Sequence, residues 1–298
     1  MNTLIVIVGP TGVGKTALCI DVAKQLDTVI INADSRQMFK EIPIGTAAPT
    51  DDEQNMVKHY FIGNLSIKDY FNASMFENEV ITLLGRLFHE KDVVILSGGS
   101  MMYVDAVCNG IDDIPTVNEH IRNLVKEDYE RHGLSEMQNK LKELDPEYYS
   151  IVDKNNPQRV IHAVEICLST GRTYTSFRTN IKKERPFRII KIGLTRERGE
   201  LYGRIDERVE NMIASGLIDE ARRMHLYKGL NALNTVGYKE LFDYFDGNCT
   251  LEEAIFRIKC NTHKYCRKQL TWFKRDKDIR WFSPDNVEEI INYIRSFC

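Results

Sequence analysis

The sequence predicts an α/β protein, a parallel sheet core of the P-loop NTPase type carrying a mostly helical insertion domain. Three observations lead there. Short apolar runs alternate with helical patterns through the first third of the chain, a glycine-rich turn GPTGVGKT follows the first run, and the stretch 118–185 is long, polar and helical with no strand-like run. Strands separated by helices need crossover connections, so the sheet is parallel and its polar groups gather at the carboxyl ends of the strands.

Taken in order, TLIVIV (Thr3 to Val8) is a buried-strand run, and KTALCIDVAKQL after the glycine turn has helical character. TVIINAD is a second strand run and DVVILSGGS a third, with the helix ENEVITLLGRLFHE before it. The runs end in GPTG, DSRQ and GGSM, which the topology brings to one site. EHIRNLVKEDYERHG and EMQNKLKELDPEYYS are the polar helical stretches of the insertion. FRIIKIGL (Phe187 to Leu194) then returns the chain to the sheet, and the remainder is helical. The expected division is therefore 1–117 with 186–298 as the core and 118–185 as the insertion.

A chain of 298 residues, 43% hydrophobic, can bury a sizeable core. Its net charge of -3 argues against a surface that is basic throughout, so any nucleic-acid surface must be local. Cys19, Cys108, Cys167, Cys249, Cys260, Cys266 and Cys298 are scattered and form no C-x-x-C pair, which disfavours a disulfide framework or zinc site and fits a reducing cytoplasm. Neither a secretory leader nor a membrane span is expected, because no stretch approaches the roughly eighteen apolar residues a span needs.

Gly9, Gly14, Lys15 and Thr16 match G-x-x-x-x-G-K-[ST] between a strand and a helix. Backbone N–H groups there approach phosphate oxygens, Lys15 reaches the terminal phosphates and Thr16 is a ligand for Mg²⁺. Asp34 closes the second strand, either as a helix cap or as a general base at the mouth of the phosphate site. The third strand ends in LSGGS with no aspartate, which weakens an ordinary ATPase mechanism. A small-molecule P-loop kinase remains a competing reading of these residues.

Beyond the loop, NADSRQMF, IPIGTAAPT, SGGSMMYVDAV, NNPQRVIHAVEICLSTGRT, LYGRIDERVENMIASGLIDEARRM, NTVGYKELFDYFDG and THKYCRKQLTWFKRD stand in the order of the bacterial tRNA dimethylallyltransferases, the tRNA isopentenyltransferase family, and the chain resembles that family over nearly its whole length. The resemblance implies transfer of a dimethylallyl group from its diphosphate to the exocyclic amine of the adenosine 3′-adjacent to the anticodon. Carried onto this sequence, it gives Gly9, Pro10, Thr11, Gly12, Val13, Gly14, Lys15 and Thr16 to the diphosphate, with Thr16 on Mg²⁺. Thr11, Lys15 and Thr16 would grip the diphosphate and its Mg²⁺, Asp34 would take the amine proton, and an arginine of the RIDER helix, Arg208 ahead of Arg204, would stabilise the departing pyrophosphate.

The same resemblance places Asp34, Ser35, Arg36, Gln37, Ser100, Arg122, Gln158, Arg159, Val160, Ile161, His162, Asn234, Thr235, Val236, Gly237, Tyr238 and Lys239 around the anticodon stem-loop of tRNA. In KYCRKQLTWFKRDK the charges of Lys264, Arg267, Lys268, Lys274, Arg275 and Lys277 suit RNA, and the rings of Tyr265, Trp272 and Phe273 suit packing. Ala48 and His162 depart from the family pattern, where lysine and arginine are usual, and remove positive charge from the expected RNA track. A monomer is expected. An isopentenyltransferase of free nucleotides is the nearest alternative, with less use for the insertion and the basic C-terminal stretch.

Overall fold

The computed structural model describes residues 1–179 and 181–297. Strand β1 (Thr3–Val8) is TLIVIV with every side chain buried, as suits a β-branched run covered on both faces. The glycine-rich loop turns into helix α1 (Lys15–Gln25), and Gly14 at its N-cap has φ 104, a left-handed conformation that glycine adopts without steric penalty. There follow β2 (Ile30–Asn32), α2 (Pro43–Thr46), α3 (Asp51–Met56), β3 (His59–Tyr60), α4 (Ala73–Leu87), β4 (Val93–Gly98) and α5 (Met101–Asn109). Thr50 and Glu53 form a reciprocal capping box on α3, satisfying amides that the short helix cannot bond internally.

Residues 110–183 form a compact helical unit of their own. It holds α6 (Glu119–Leu144), α7 (Pro146–Ile151) and α8 (Pro157–Thr170). Non-helical backbone at Gly133 (φ 75) breaks α6 where the two expected polar stretches meet. Val125, Met137, Leu141, Tyr148, Val160, Val164 and Ile166 are its core. The unit starts at Gly110, before Asn118, because Ile114 and Val117 pack into that same core. Asp145, 1% exposed, is fully engaged: it accepts from Tyr148 N (2.9 Å) and from the N and Oγ1 of Thr175 (2.7 and 2.9 Å). A buried carboxylate persists only with such partners.

The chain then completes the other unit, Met1–Asn109 with Glu184–Cys298. Its remaining elements are β5 (Arg188–Leu194), α9 (Arg198–Ala214), α10 (Leu217–Met224), α11 (Tyr238–Phe245), α12 (Leu251–Phe273), β6 (Arg280–Phe282) and α13 (Val287–Arg295). The sheet order is β3-β2-β4-β1-β5-β6, and every pairing among the described residues is parallel. The short edge strands β3 and β6 add to the four that the sequence predicts.

Alternation along β1 sends Ile5 and Ile7 to one face, packed with Leu18 and Val22 of α1, Leu201 and Ile205 of α9, and Ile290 and Ile294 of α13. Leu4, Val6 and Val8 face the other way, onto Phe76 and Val80 of α4, Tyr103 and Val107 of α5, and Phe273 of α12. The chain re-enters this unit through Arg185, whose guanidinium donates to the carbonyls of Ala106 (2.8 Å) and Val107 (2.9 Å) and to Glu77 (2.7 Å). Both charged side chains are nearly sealed from solvent, and removal of either partner of such a pair costs about 3–5 kcal/mol.

Six cysteines are free and unbridged, and Cys298 lies outside the described residues. No helix among the described residues is long and apolar enough to cross a membrane.

Candidate active site

The carboxyl ends of β1, β2 and β4 open onto a cavity of about 980 Å³, whose floor is the glycine-rich loop. Thr11, Gly12, Gly14, Lys15 and Thr16 line it. Gly9, Pro10 and Val13 are buried behind the lining and serve as scaffold: the carbonyls of Gly9 and Pro10 each accept from Lys15 Nζ at 2.8 Å, and Pro10 has no N–H to offer an anion. Burial, and after it the nearby Arg208, lowers the Lys15 ammonium from its ordinary value to about 8. An ammonium held this way gains most when a diphosphate supplies the missing negative charge.

Arginines flank the floor. Arg204 Nε donates to Gly12 O at 2.9 Å and Arg196 Nε to Val13 O at 3.0 Å. Arg208, four residues after Arg204 on the same face of α9, lies among cavity residues and reaches Thr46 O at 3.3 Å. Burial lowers its pKa, and the charge of Asp34 acts in the opposite direction.

Asp34 is half-buried beyond β2, with Oδ1 accepting from Arg36 N at 3.0 Å. No helix follows it, so the carboxylate caps a turn and faces the cavity. Arg36, whose pKa burial lowers, and Gln37 line the same wall. The Gln37 amide is engaged, Nε2 donating to Thr46 O (3.1 Å) and Ala47 O (2.9 Å). Ser35 also lines the cavity and is fixed from behind, its N–H donating to Ser100 Oγ at 2.8 Å.

Several expected contact residues prove to be supports. Ser100 is buried and its hydroxyl is spent on Ser35, so it joins the DSRQ and GGS turns and presents nothing to a ligand. Tyr238 is fully buried, its hydroxyl held by Glu220, while its neighbours Asn234, Thr235, Val236, Gly237 and Lys239 do line the cavity. In the helical unit, Gln158 and Arg159 are exposed at the start of α8, but Val160 is core and Ile161 packs against that core. His162 sits against Glu165 (3.6 Å) and the ring of Tyr174. Arg122 lies half-buried in the first turn of α6.

Helix α12 supplies a wall. Lys264, Tyr265 and Lys268 face the cavity, whereas Arg267 turns away to donate to Tyr202 Oη at 2.8 Å. Phe273 is core and Trp272 donates from Nε1 to Asp105 at 2.8 Å, as expected of packing residues; Tyr265 departs from that expectation, because it stands on the cavity wall with its hydroxyl 3.5 Å from Gly99 O. The residue that sequence reading passed over is Gln269, 1% exposed, which accepts from Thr11 N (2.9 Å) through Oε1 and donates to Gly99 O (2.9 Å) through Nε2. One amide thus ties the phosphate loop to the turn behind Asp34. A glutamine one turn before a Trp-Phe pair, on a helix otherwise basic at its surface, was the available signal.

Residues 37–276 match the family model described as IPP transferase. The chain belongs to the IPP transferase family. It is 57% identical to tRNA dimethylallyltransferase 1 of Phocaeicola vulgatus, over 99% of this chain and 98% of that protein. Its fold is similar to that of the full-length tRNA isopentenylpyrophosphate transferase of Bacillus halodurans, at TM-score 0.72 and 34% identity, covering 99% of this chain and 96% of that one. A eukaryotic dimethylallyltransferase acting on tRNA shares the fold at TM-score 0.80 and 23% identity, over 97% of this chain and 75% of that chain. The family is one of prenyl-transferring enzymes, and nothing in these relatives supports the kinase or free-nucleotide alternatives.

Proposed function

We propose that this protein transfers the dimethylallyl group of dimethylallyl diphosphate to the exocyclic amine of the adenosine 3′-adjacent to the anticodon in tRNA. The observation that carries the proposal is the convergence of Asp34, Lys15 and Arg208 on one cavity, a proton acceptor beside an anion cradle. The amine nitrogen forms a bond to C1 of the prenyl group as the bond from C1 to the bridging oxygen breaks. The electron pair leaves with the diphosphate, and the amine proton passes to the Asp34 carboxylate. Lys15, Arg208 and the Thr11 hydroxyl stabilise the charge that develops on the leaving group, the Thr11 N–H being held by Gln269.

Thr16, on the cavity lining, would be the protein donor to Mg²⁺. No group of three or more His, Cys, Asp or Glu residues among the described residues can hold a metal, which fits an ion bound mainly through the diphosphate and water. When bound, Mg²⁺ would neutralise part of the diphosphate charge. The acceptor base has to leave its stack to reach a recessed carbon, and the exposed Lys239, Lys264 and Lys268 are placed to hold phosphates around it, with the Tyr265 ring available for stacking. Gln158 and Arg159 offer a base-edge amide and a phosphate partner on the helical unit. These local charges reconcile RNA binding with a net charge of -3. The proposal includes a monomer acting in the cytoplasm, a compartment that the unbridged cysteines fit.

The test is incubation of the purified protein with Mg²⁺, radiolabelled dimethylallyl diphosphate and, separately, unmodified tRNA with adenosine after its anticodon, AMP or ATP. Label is expected in tRNA alone. Label in a free nucleotide, or in no acceptor, would overturn the proposal.

A further inference from the structure

Behind the acceptor-side wall lies a buried carboxylate that the reaction scheme does not use. Glu220 of α10 is 1% exposed, yet neither of its oxygens faces the cavity floor. Oε2 accepts the N–H of Ile44 at 3.0 Å, and Oε1 accepts both the N–H of Gly45 at 2.8 Å and the hydroxyl of Tyr238 at 2.5 Å. Three donors from two segments far apart in sequence therefore meet on one side chain.

The segment it grips is the turn that begins with α2. Gly45 is required there, because a Cβ would lie 2.3 Å from the Tyr238 hydroxyl oxygen. Ala47, at the end of the turn, has φ 45, a left-handed conformation that a residue with a side chain keeps only where its surroundings impose it. The carbonyls this turn presents are the ones that hold the catalytic wall: Thr46 O accepts from Arg208 Nη2 and from Gln37 Nε2, and Ala47 O accepts from Gln37 Nε2. The path from Glu220 to the arginine at the leaving group thus passes through one backbone turn.

We infer that Glu220 is a positioning residue for diphosphate binding and release, acting by locking the Pro43–Ala47 turn so that its carbonyls aim Arg208, with Tyr238 as its second anchor. The inference rests on the assignment of Arg208 to the diphosphate. It also explains the burial of Tyr238 inside a stretch whose neighbours face the cavity.

The test is a double-mutant cycle read on inorganic pyrophosphate binding by calorimetry, in the presence of Mg²⁺, for the parent protein, Glu220→Gln, Arg208→Lys and the double variant. A glutamine keeps the volume but must turn its NH₂ toward one of the three donors, which displaces the turn. Glu220→Gln should weaken pyrophosphate about tenfold, and the same change in the Arg208→Lys background should have under twofold further effect, since both act through one guanidinium. An effect below twofold in the parent background, or additive effects in the double variant, overturns the inference. Should Glu220→Gln not fold, Tyr238→Phe, which removes a single hydroxyl, enters the same cycle with an expected loss of about threefold. A merely structural role would lower thermal stability while leaving the pyrophosphate affinity of the folded protein and its dependence on Arg208 unchanged. Prenyl transfer is assayed separately on the parent protein, so a failure of the proposed reaction is distinguishable from a failure of the pyrophosphate cycle.

Discussion

The floor and the acceptor-side wall of the cavity are built in opposite ways. The floor is one contiguous run, Gly9 to Thr16, whose conformation follows from its own glycines and from the helix that begins at Lys15. The wall is assembled from Asp34 to Gln37, the Pro43–Ala47 turn and the Asn234 to Lys239 loop, and side chains from elsewhere, Ser100, Glu220 and Gln269, hold it or join it to the floor. The difference teaches that a site can be half motif and half carpentry. Residues of the motif half mostly touch the ligand, whereas in the carpentry half a residue that looks functional in sequence is as often one that holds another in place.

The sharpest break in that comparison is Asp34→Ala. It removes the one wall residue assigned to the chemistry, so turnover should fall about a hundredfold or more while tRNA affinity stays within about twofold, as read by single-turnover transfer and filter binding. A parallel loss of affinity and turnover would move Asp34 into the holding group.

The floor has its own test in pH. Lys15 must be cationic to attract diphosphate, and its pKa in the free protein is lowered to about 8. Affinity for dimethylallyl diphosphate should therefore be flat below pH 8 and fall up to about tenfold per unit above it, with turnover at saturation little changed because the bound anion restores the proton affinity. A KM that stays constant from pH 7 to about 9.5 would remove Lys15 from this role.

The smallest effect on chemistry is expected at the joint between the two halves. Gln269→Leu removes the acceptor of Thr11 N–H and the nearer donor to Gly99 C=O, leaving that carbonyl only the Tyr265 hydroxyl at 3.5 Å, at a total cost of about 1–3 kcal/mol. Urea unfolding should show the loss directly, and transfer should fall only several-fold. Unchanged stability would mean that floor and wall are held together some other way.

This asymmetry also accounts for what was legible in the sequence. Four strands announce themselves because each lies in an apolar run that encodes its own environment, and the phosphate loop because its spacing is local. Strands β3 and β6 do not: His59–Tyr60 and Arg280–Phe282 mix a polar residue with aromatics, and they are extended because a neighbouring strand offers them hydrogen bonds. The burial of Tyr238 and Ser100 is hidden in the sequence for the same reason. Their sequence neighbours face the cavity or another element, but the inward turn of each side chain depends on Glu220 or Ser35, 18 and 65 residues away in the chain.

The clasp at Arg185 carries a consequence for the chain's architecture as a whole. By binding the carbonyls of Ala106 and Val107 and the carboxylate of Glu77, it brings the exit and re-entry points of the helical excursion to one spot on the sheet unit and fastens them there. The chain thus leaves and rejoins the sheet unit at one fastened point. The sheet unit, interrupted in sequence over residues 110–183, is stitched shut across that interruption by its own side chains.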